Sequence, residues 1–148
     1  MIKSIFSANE VKYIKSQSIA RIATAAEVEA GLANKSVDNT STIIQPDVVP
    51  VGFHFDGEYF YIGGFDMLRS TKYKNVLRNR LIALVIDDLK STKLWQPRGI
   101  RIYGEAEITK RQGASLEASG CFEIVYSIKV TPKKKWSWGI DDNHVSDE

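Results

Sequence analysis

Val48-Val-Pro-Val-Gly-Phe-His-Phe55, Asp56-Gly57 and Glu58-Tyr-Phe-Tyr-Ile-Gly-Gly64, with Arg69-Ser-Thr-Lys-Tyr-Lys-Asn75 close behind, decide the fold. Asp-Gly supplies the positive φ angles that a two-residue hairpin turn needs, so Phe55 and Glu58 are expected to flank it. That register sets Phe53 opposite Phe60 and Val51 opposite Ile62 on one face. On the other it sets His54 opposite Tyr59, Gly52 opposite Tyr61 and Pro50 opposite Gly63. The first face reads as core. The second is thinned in its middle, which lets a flat ligand or another backbone come close. Ser70-Thr71 then opens a helix predicted over about Thr71 to Arg78. Its hydroxyls, free backbone N–H groups and nearby Arg69, Lys72, Lys74 and Arg78 describe an anion site or a solvated basic face.

Outward from this stretch, Ser7 and Glu10 form a capping box, which predicts a helix from about Ala8 to Gln17 with Val11 and Ile14 inward. Ile19 to Ala25 reads as a strand. The polar segment from Glu27 to Gln45 fits a hairpin excursion or a loop. Leu81 to Ile86 is a continuous apolar run, as in a strand covered on both faces. Gly99 to Ile108 alternates, with Ile100, Ile102, Gly104, Ala106 and Ile108 against Arg101, Tyr103, Glu105 and Glu107. A short helix is expected near Ala114 to Ala118. A last strand runs from Phe122 to Val130 and is closed by Pro132, and the tail from Asp141 is polar. Six strands against two or three short helices predict a mainly β fold, an antiparallel split or closed barrel, in one domain over 1–148.

The chemistry is sparse. His54 and His144 are far apart, and one cysteine, Cys121, leaves no metal constellation of ordinary spacing and no disulfide framework. Cys121 reads as a small apolar residue. No Gly-x-Ser-x-Gly elbow is present, and Gly63-Gly64 is not a dinucleotide fingerprint. Asp87 and Asp88 are adjacent on a strand, so they point to opposite faces and cannot share a proton. The net charge of +2 does not argue for nucleic acid. Lys133-Lys134-Lys135 before Trp136 and Trp138 is only a weak signal of that kind. Trp95, Trp136 and Trp138 divide evenly between core packing and a ring-stacking or interface role. No signal peptide or membrane-length apolar run occurs, so a soluble, cytoplasmic protein is expected. An enzyme built from such residues would borrow its reactivity from a cofactor.

The ordered motifs resemble those of the pyridoxamine 5′-phosphate oxidase-like split-barrel proteins, most of all their deazaflavin (coenzyme F420)-dependent oxidoreductase branch. The residues carrying this are Ala20-Arg-Ile-Ala-Thr24, Pro46-Asp-Val-Val-Pro-Val-Gly-Phe53, Tyr61-Ile-Gly-Gly64 and Ser70-Thr-Lys-Tyr-Lys-Asn75. Ala83-Leu-Val-Ile-Asp-Asp88, Trp95-Gln-Pro-Arg-Gly99, Gly104-Glu-Ala-Glu107 and Trp136-Ser-Trp-Gly-Ile140 complete the match. The resemblance implies a homodimer with FMN or coenzyme F420 at the subunit interface, transferring a hydride to or from a small organic substrate. By position, Val48, Val49, Pro50 and Val51 would line the ring. Ser70 and Lys72, with Arg69 or Lys74, would hold the phosphate beside Gly64 and Thr71. Trp95, Arg98 and Trp138 would belong to the second subunit's wall. The chain departs from the pattern in three places. About twenty residues stand where the family has a short glycine turn, Asp47 where histidine is common, and Thr71 where a second base is frequent. A non-catalytic flavin- or haem-binding barrel is the alternative, since fold does not fix function.

Overall fold

The structure, a computed structural model, describes residues 4–29, 42–115 and 122–140, with 111–115 and 122–124 described as backbone only. The expected short helix at 114–118 falls mostly outside these residues, as do most of the loop before Pro46, the tail, Cys121 and His144. Helix α1 spans Ala8–Ser16. Its capping box forms as expected: the Glu10 N–H donates to Ser7 Oγ at 3.2 Å, and the Ser7 N–H to Glu10 Oε2 at 2.9 Å. Gln17, in extended backbone, ends the helix, and the face it buries is Glu10, Tyr13 and Ile14, with Val11 packing at its margin.

The strands are β1 (Ile19–Val28), β2 (Ile43–Gly52), β3 (His54–Phe55), β4 (Phe60–Ile62), β5 (Leu81–Leu89), β6 (Pro97–Ser115) and β7 (Phe122–Trp138). They form one antiparallel sheet in the order β2-β1-β5-β6-β7-β4-β3. The described residues thus hold seven strands rather than six, because the strand expected through Phe55 breaks at Phe53. The two edges of the sheet, β2 and β3, are halves of one bent strand. The barrel is closed by the chain at Phe53 and not by a ladder, which makes it split.

The hairpin register differs from the expected one by two residues: Phe55 stands opposite Phe60, and His54 opposite Tyr61. Asp56 is the cause. Its carboxylate accepts the N–H groups of Glu58 and Tyr59 at 2.9 and 2.8 Å, and its own N–H reaches the Tyr59 carbonyl at 3.2 Å. The side chain closes a four-residue loop in which only Gly57, at φ 105°, needs the left-handed region. A slip of two preserves the side-chain faces. Phe60 and Ile62 are therefore still core residues. Val51 and Pro50 pair with Ala20 and Arg21 of β1 instead.

Inside the barrel, Ile22, Leu84, Ile102, Ile128 and Val130 pack together with the Phe6, Phe55 and Phe60 rings. The two faces of β5 are not both covered: Ile82, Leu84 and Ile86 are buried, while Leu81 is exposed and Ala83 and Val85 are half-buried. Pro132 does not end β7. A register shift opposite Tyr103 and Gly104 places a bulge beside it, where a missing N–H is tolerated, and the strand continues to Trp138. Among the described residues, no helix is long and apolar enough to cross a membrane.

At the α1 end of the sheet, a Cβ on Gly99 would stand 2.6 Å from Trp138 Cζ2 and 2.8 Å from the Ile86 carbonyl oxygen. Gly99→Ala is therefore expected to push the indole off the strand and cost about 1–3 kcal/mol, the usual range for overpacking. Tryptophan fluorescence followed through a urea titration checks this. A variant with unchanged emission and midpoint would contradict the close packing.

Candidate functional site

A groove of about 720 Å³ opens on the thinned face. Its floor is Gly52, Phe53 and His54 of the bent strand beside Tyr61 and Gly63, and it reaches Gly64 and Phe65 at one end and Val125 and Ser127 of β7 at its side. The alternation read from the sequence made this face by putting Gly52, His54, Tyr61 and Gly63 outward. A Cβ built on Gly52 or Gly63 meets nothing within 4 Å, so the floor is bare without being crowded.

Helix α2 (Thr71–Arg78) follows Gly64 and Phe65 in the chain and starts where Ser70 caps it. Ser70 Oγ accepts the Tyr73 N–H at 3.3 Å and donates to the Met67 carbonyl at 2.7 Å, so the hydroxyl is engaged within the chain. The N–H groups of Thr71 and Lys72 in the first turn have no intrahelical acceptor. The Lys72 ammonium lies 3.4 Å from where a Cβ on Gly64 would stand. Glycine at 64 thus lets the charge settle against the backbone at the mouth of the groove. Among the described residues, no carboxylate pairs with Lys72 or Lys74. An unpaired ammonium beside free helix N–H groups is a combination that favours an anion. Arg69 is turned to Asp66 at 3.6 Å, and Thr71 and Lys74 are exposed on the helix.

The strand expected to face a ring is the edge strand β2. Val48 and Pro50 point outward, while Val51 is buried and Val49 half-buried. By register, Val48, Ala23, Ala83 and Tyr103 lie side by side on the outer face. The next row is Pro50, Arg21, Val85, Arg101 and Trp136, with the Arg101 guanidinium 4.3 Å from a Trp136 ring centre.

Within one chain, the remaining expected residues stand apart. The α2 end of the sheet is marked by Ala106, whose N–H donates to the Arg80 carbonyl, and the other end by Gly99 under Trp138. Seven residues of strand separate them, roughly 23 Å. Arg98 grips Asp88 with two hydrogen bonds of 2.7 and 2.8 Å and lies over the Tyr13 ring. That guanidinium is the main reason the Asp88 carboxyl sits below its usual range. Burial, and then the hydrogen bond it donates to Asp88, push the Tyr13 hydroxyl upward. Trp95 is 82% exposed on the turn before β6. Asp87 and Asp88 do point to opposite sides, Asp87 pairing with Arg21. Gly52, Phe53, His54, Tyr61, Gly63 and Phe65 were not among the expected cofactor residues, although the thinned alternation marked Gly52, His54, Tyr61 and Gly63. Val125 and Ser127 join them through the β4–β7 pairing, which no local pattern encodes. Among the described residues, no group of three or more His, Cys, Asp or Glu could hold a metal ion.

The profile of the pyridoxamine 5′-phosphate oxidase family matches residues 7–135. The chain is 28% identical over 138 residues to the 5a,11a-dehydrotetracycline/5a,11a-dehydrooxytetracycline reductase of Streptomyces rimosus, covering 92% of this chain and 84% of that protein. Among solved structures, the FAD-binding protein of Mycobacterium smegmatis is similar at a TM-score of 0.56 and 19% identity, over 92% of this chain and 97% of that one. HupZ of group A Streptococcus matches at a TM-score of 0.58 and 18% identity, over 91% and 95%. These structures establish the likeness of fold.

Proposed function

The chain belongs to the pyridoxamine 5′-phosphate oxidase family, and on that premise we propose that it is a flavin- or deazaflavin-dependent oxidoreductase acting on a small organic substrate. The observation that carries this is the unpaired Lys72 ammonium against Gly64, at the helix start beside a bare-floored groove. Lys72 and the first-turn N–H groups of α2 would hold the cofactor phosphate. The outward side of β2 from Val48 to Val51 would lie along its ring, and Arg69 and Lys74 would add positive charge at the rim. When bound, FMN or coenzyme F420 supplies hydride transfer. The chain would position the ring and present the groove to the substrate. The reductase of Streptomyces rimosus supports a reductive reaction at this sequence distance.

The same reading makes the protein a homodimer with two sites at the interface. Support comes from the outer face of β1, β2 and β5, where Val48, Ala23, Ala83 and Val85 leave an apolar surface beside the groove. Trp95 and Trp138 would then reach the partner's site across the interface, while Arg98 fixes the turn that carries Trp95.

The test is the absorption spectrum and mass of the chromophore released from purified protein, followed by titration of stripped protein with FMN and with F420. Tight binding of either, bleached on reduction, is the expected result. Failure of both to bind would end this reading.

A further inference from the structure

Thr24 is the polar member of the row that β1 turns inward, Ala20, Ile22, Thr24 and Ala26, and it is 3% exposed. Valine has the same shape and would fill that place with no hydroxyl to satisfy, so packing alone does not call for threonine. The hydroxyl has a specific partner: Thr24 Oγ1 accepts from Asn75 Nδ2 at 2.9 Å. Asn75 lies on α2, three residues after Lys72. Lys72, Asn75, Val76 and the C-cap Asn79 follow the i, i+3, i+4, i+7 spacing and so share one stripe of the helix. The stripe that docks α2 on the sheet is the stripe that carries Lys72 to Gly64.

That docking is thin in apolar contact. Val76 is the one buried side chain of the helix, with Tyr73 at the margin of the core. Apolar contact is non-directional, so it holds the helix down without fixing its roll. Hydrogen bonds supply the direction. Asn79 Nδ2 donates to the Ala25 carbonyl at 3.0 Å, and Asn79 Oδ1 accepts the Leu81 N–H at 3.1 Å. With Arg78 on the Glu27 carbonyl, these pin the far end of α2 to β1 and β5. Among the described residues, Asn75 is the side-chain pin to the sheet that stands nearest Lys72. A roll of about 20° moves an atom on the helix surface, about 5 Å from the axis, by about 2 Å. A hydrogen bond does not survive such a displacement.

We infer that Asn75 and Thr24 are positioning residues of the anion site: their hydrogen bond sets the roll of α2, and with it the place of the Lys72 ammonium and the first-turn N–H groups. This rests on the cofactor reading above, in which those groups hold the phosphate. Both residues act through α2, and their effect is to make the protein prefer a phosphorylated flavin to the same ring without phosphate.

The experiment titrates full-length protein, stripped of any bound chromophore, with FMN and with riboflavin and follows the flavin fluorescence. If F420 is what binds, F420 and its phosphate-free deazaflavin alcohol replace that pair. The parent should prefer the phosphorylated ligand. Asn75→Ala and Thr24→Val are each expected to cut this preference about five- to tenfold, the size of one misaligned charged hydrogen bond, while affinity for the phosphate-free ring stays within about twofold. Thr24→Ser keeps the hydroxyl and should retain the preference. In a Lys72→Ala background, Asn75→Ala should add little, because the two act on one contact. A preference unchanged in both variants, or affinities for the two ligands that fall together, overturns the inference and leaves the cofactor reading standing. A loss in Thr24→Ser as large as in Thr24→Val overturns it too, since the methyl group would then be what matters. Thr24→Val preserves the side-chain volume and carries the test if Asn75→Ala does not fold; if neither folds, the pair serves stability and the inference fails. A parent that binds the phosphorylated ligand no better than the other, or binds neither, ends the cofactor reading and this inference with it.

Discussion

Lys72→Ala is expected to weaken FMN binding roughly 10- to 100-fold, from the loss of about 1.5–3 kcal/mol of charged hydrogen bonding to phosphate. The expectation follows from where the ammonium lies. It is half-buried against Gly64, free of any acidic partner among the described residues, and beside N–H groups that no helical carbonyl uses. Removing it breaks no ion pair among the described residues, so the melting temperature should hardly move. Lys74→Ala, exposed on the same helix, should weaken binding only a few-fold, because solvent screens its charge. Riboflavin has no phosphate and should bind the parent and Lys72→Ala alike. Equal losses for riboflavin and FMN would show that the lysine shapes the groove without contacting the phosphate.

Glu10→Ala should destabilise the fold by about 3 kcal/mol, or roughly 6–12 °C in melting temperature for a chain of this size. Glu10 is only 3% exposed, yet it carries the charge of a carboxylate. Its oxygens accept from Lys135 Nζ at 2.7 Å, from the Ser137 hydroxyl at 2.8 Å and from the Ser7 N–H. One side chain thus ties α1 to the far end of β7 and closes the helix cap. Burial alone would raise its pKa, but Lys135, Ser7 and Ser137 together hold it below the ordinary 4.5. The folded value is the lower one, so this stabilisation is complete above the ordinary value and is lost as pH falls through the folded value. The stability gap between parent and Glu10→Ala should accordingly narrow as pH drops below about 4.5. Thermal melts at pH 7 and pH 3.5 would measure it, and a gap that stays constant would rule out the ionised pair as its source.

Much of this was legible in local pattern. Ser7 with Glu10 announced α1, Ser70 announced α2, and the alternation from Ile100 to Ala106 gave the buried face of β6. The glycine-thinned face was also legible, because a slip of two residues leaves every side chain on its own face. The slip itself was not, since it depends on whether the Asp56 carboxylate turns back onto two N–H groups. Pro132 looked like a stop because proline usually is one within a sheet; a bulge formed with a strand some thirty residues away rescues it. Arg98 shows the limit from the other side. Its place in an ordered motif suggested a ligand contact, while within the chain it is held by Asp88 and Tyr13, residues 10 and 85 positions away. Pairings over such separations leave no mark on the neighbouring sequence.

The edge strand β2 carries a consequence for how this protein survives in concentrated solution. A strand of ten residues with one open side would ordinarily recruit another strand and seed aggregation. Pro46, Val48 and Pro50 share one orientation along it, and a proline keeps an unbroken ladder with β1 only if its missing N–H faces the open side. Over that span the edge offers three carbonyls but a single N–H, that of Val48. An incoming chain needs alternating donors and acceptors and finds two of three donors gone. The strand can accept a small hydrogen-bonding guest, yet it cannot template its own extension.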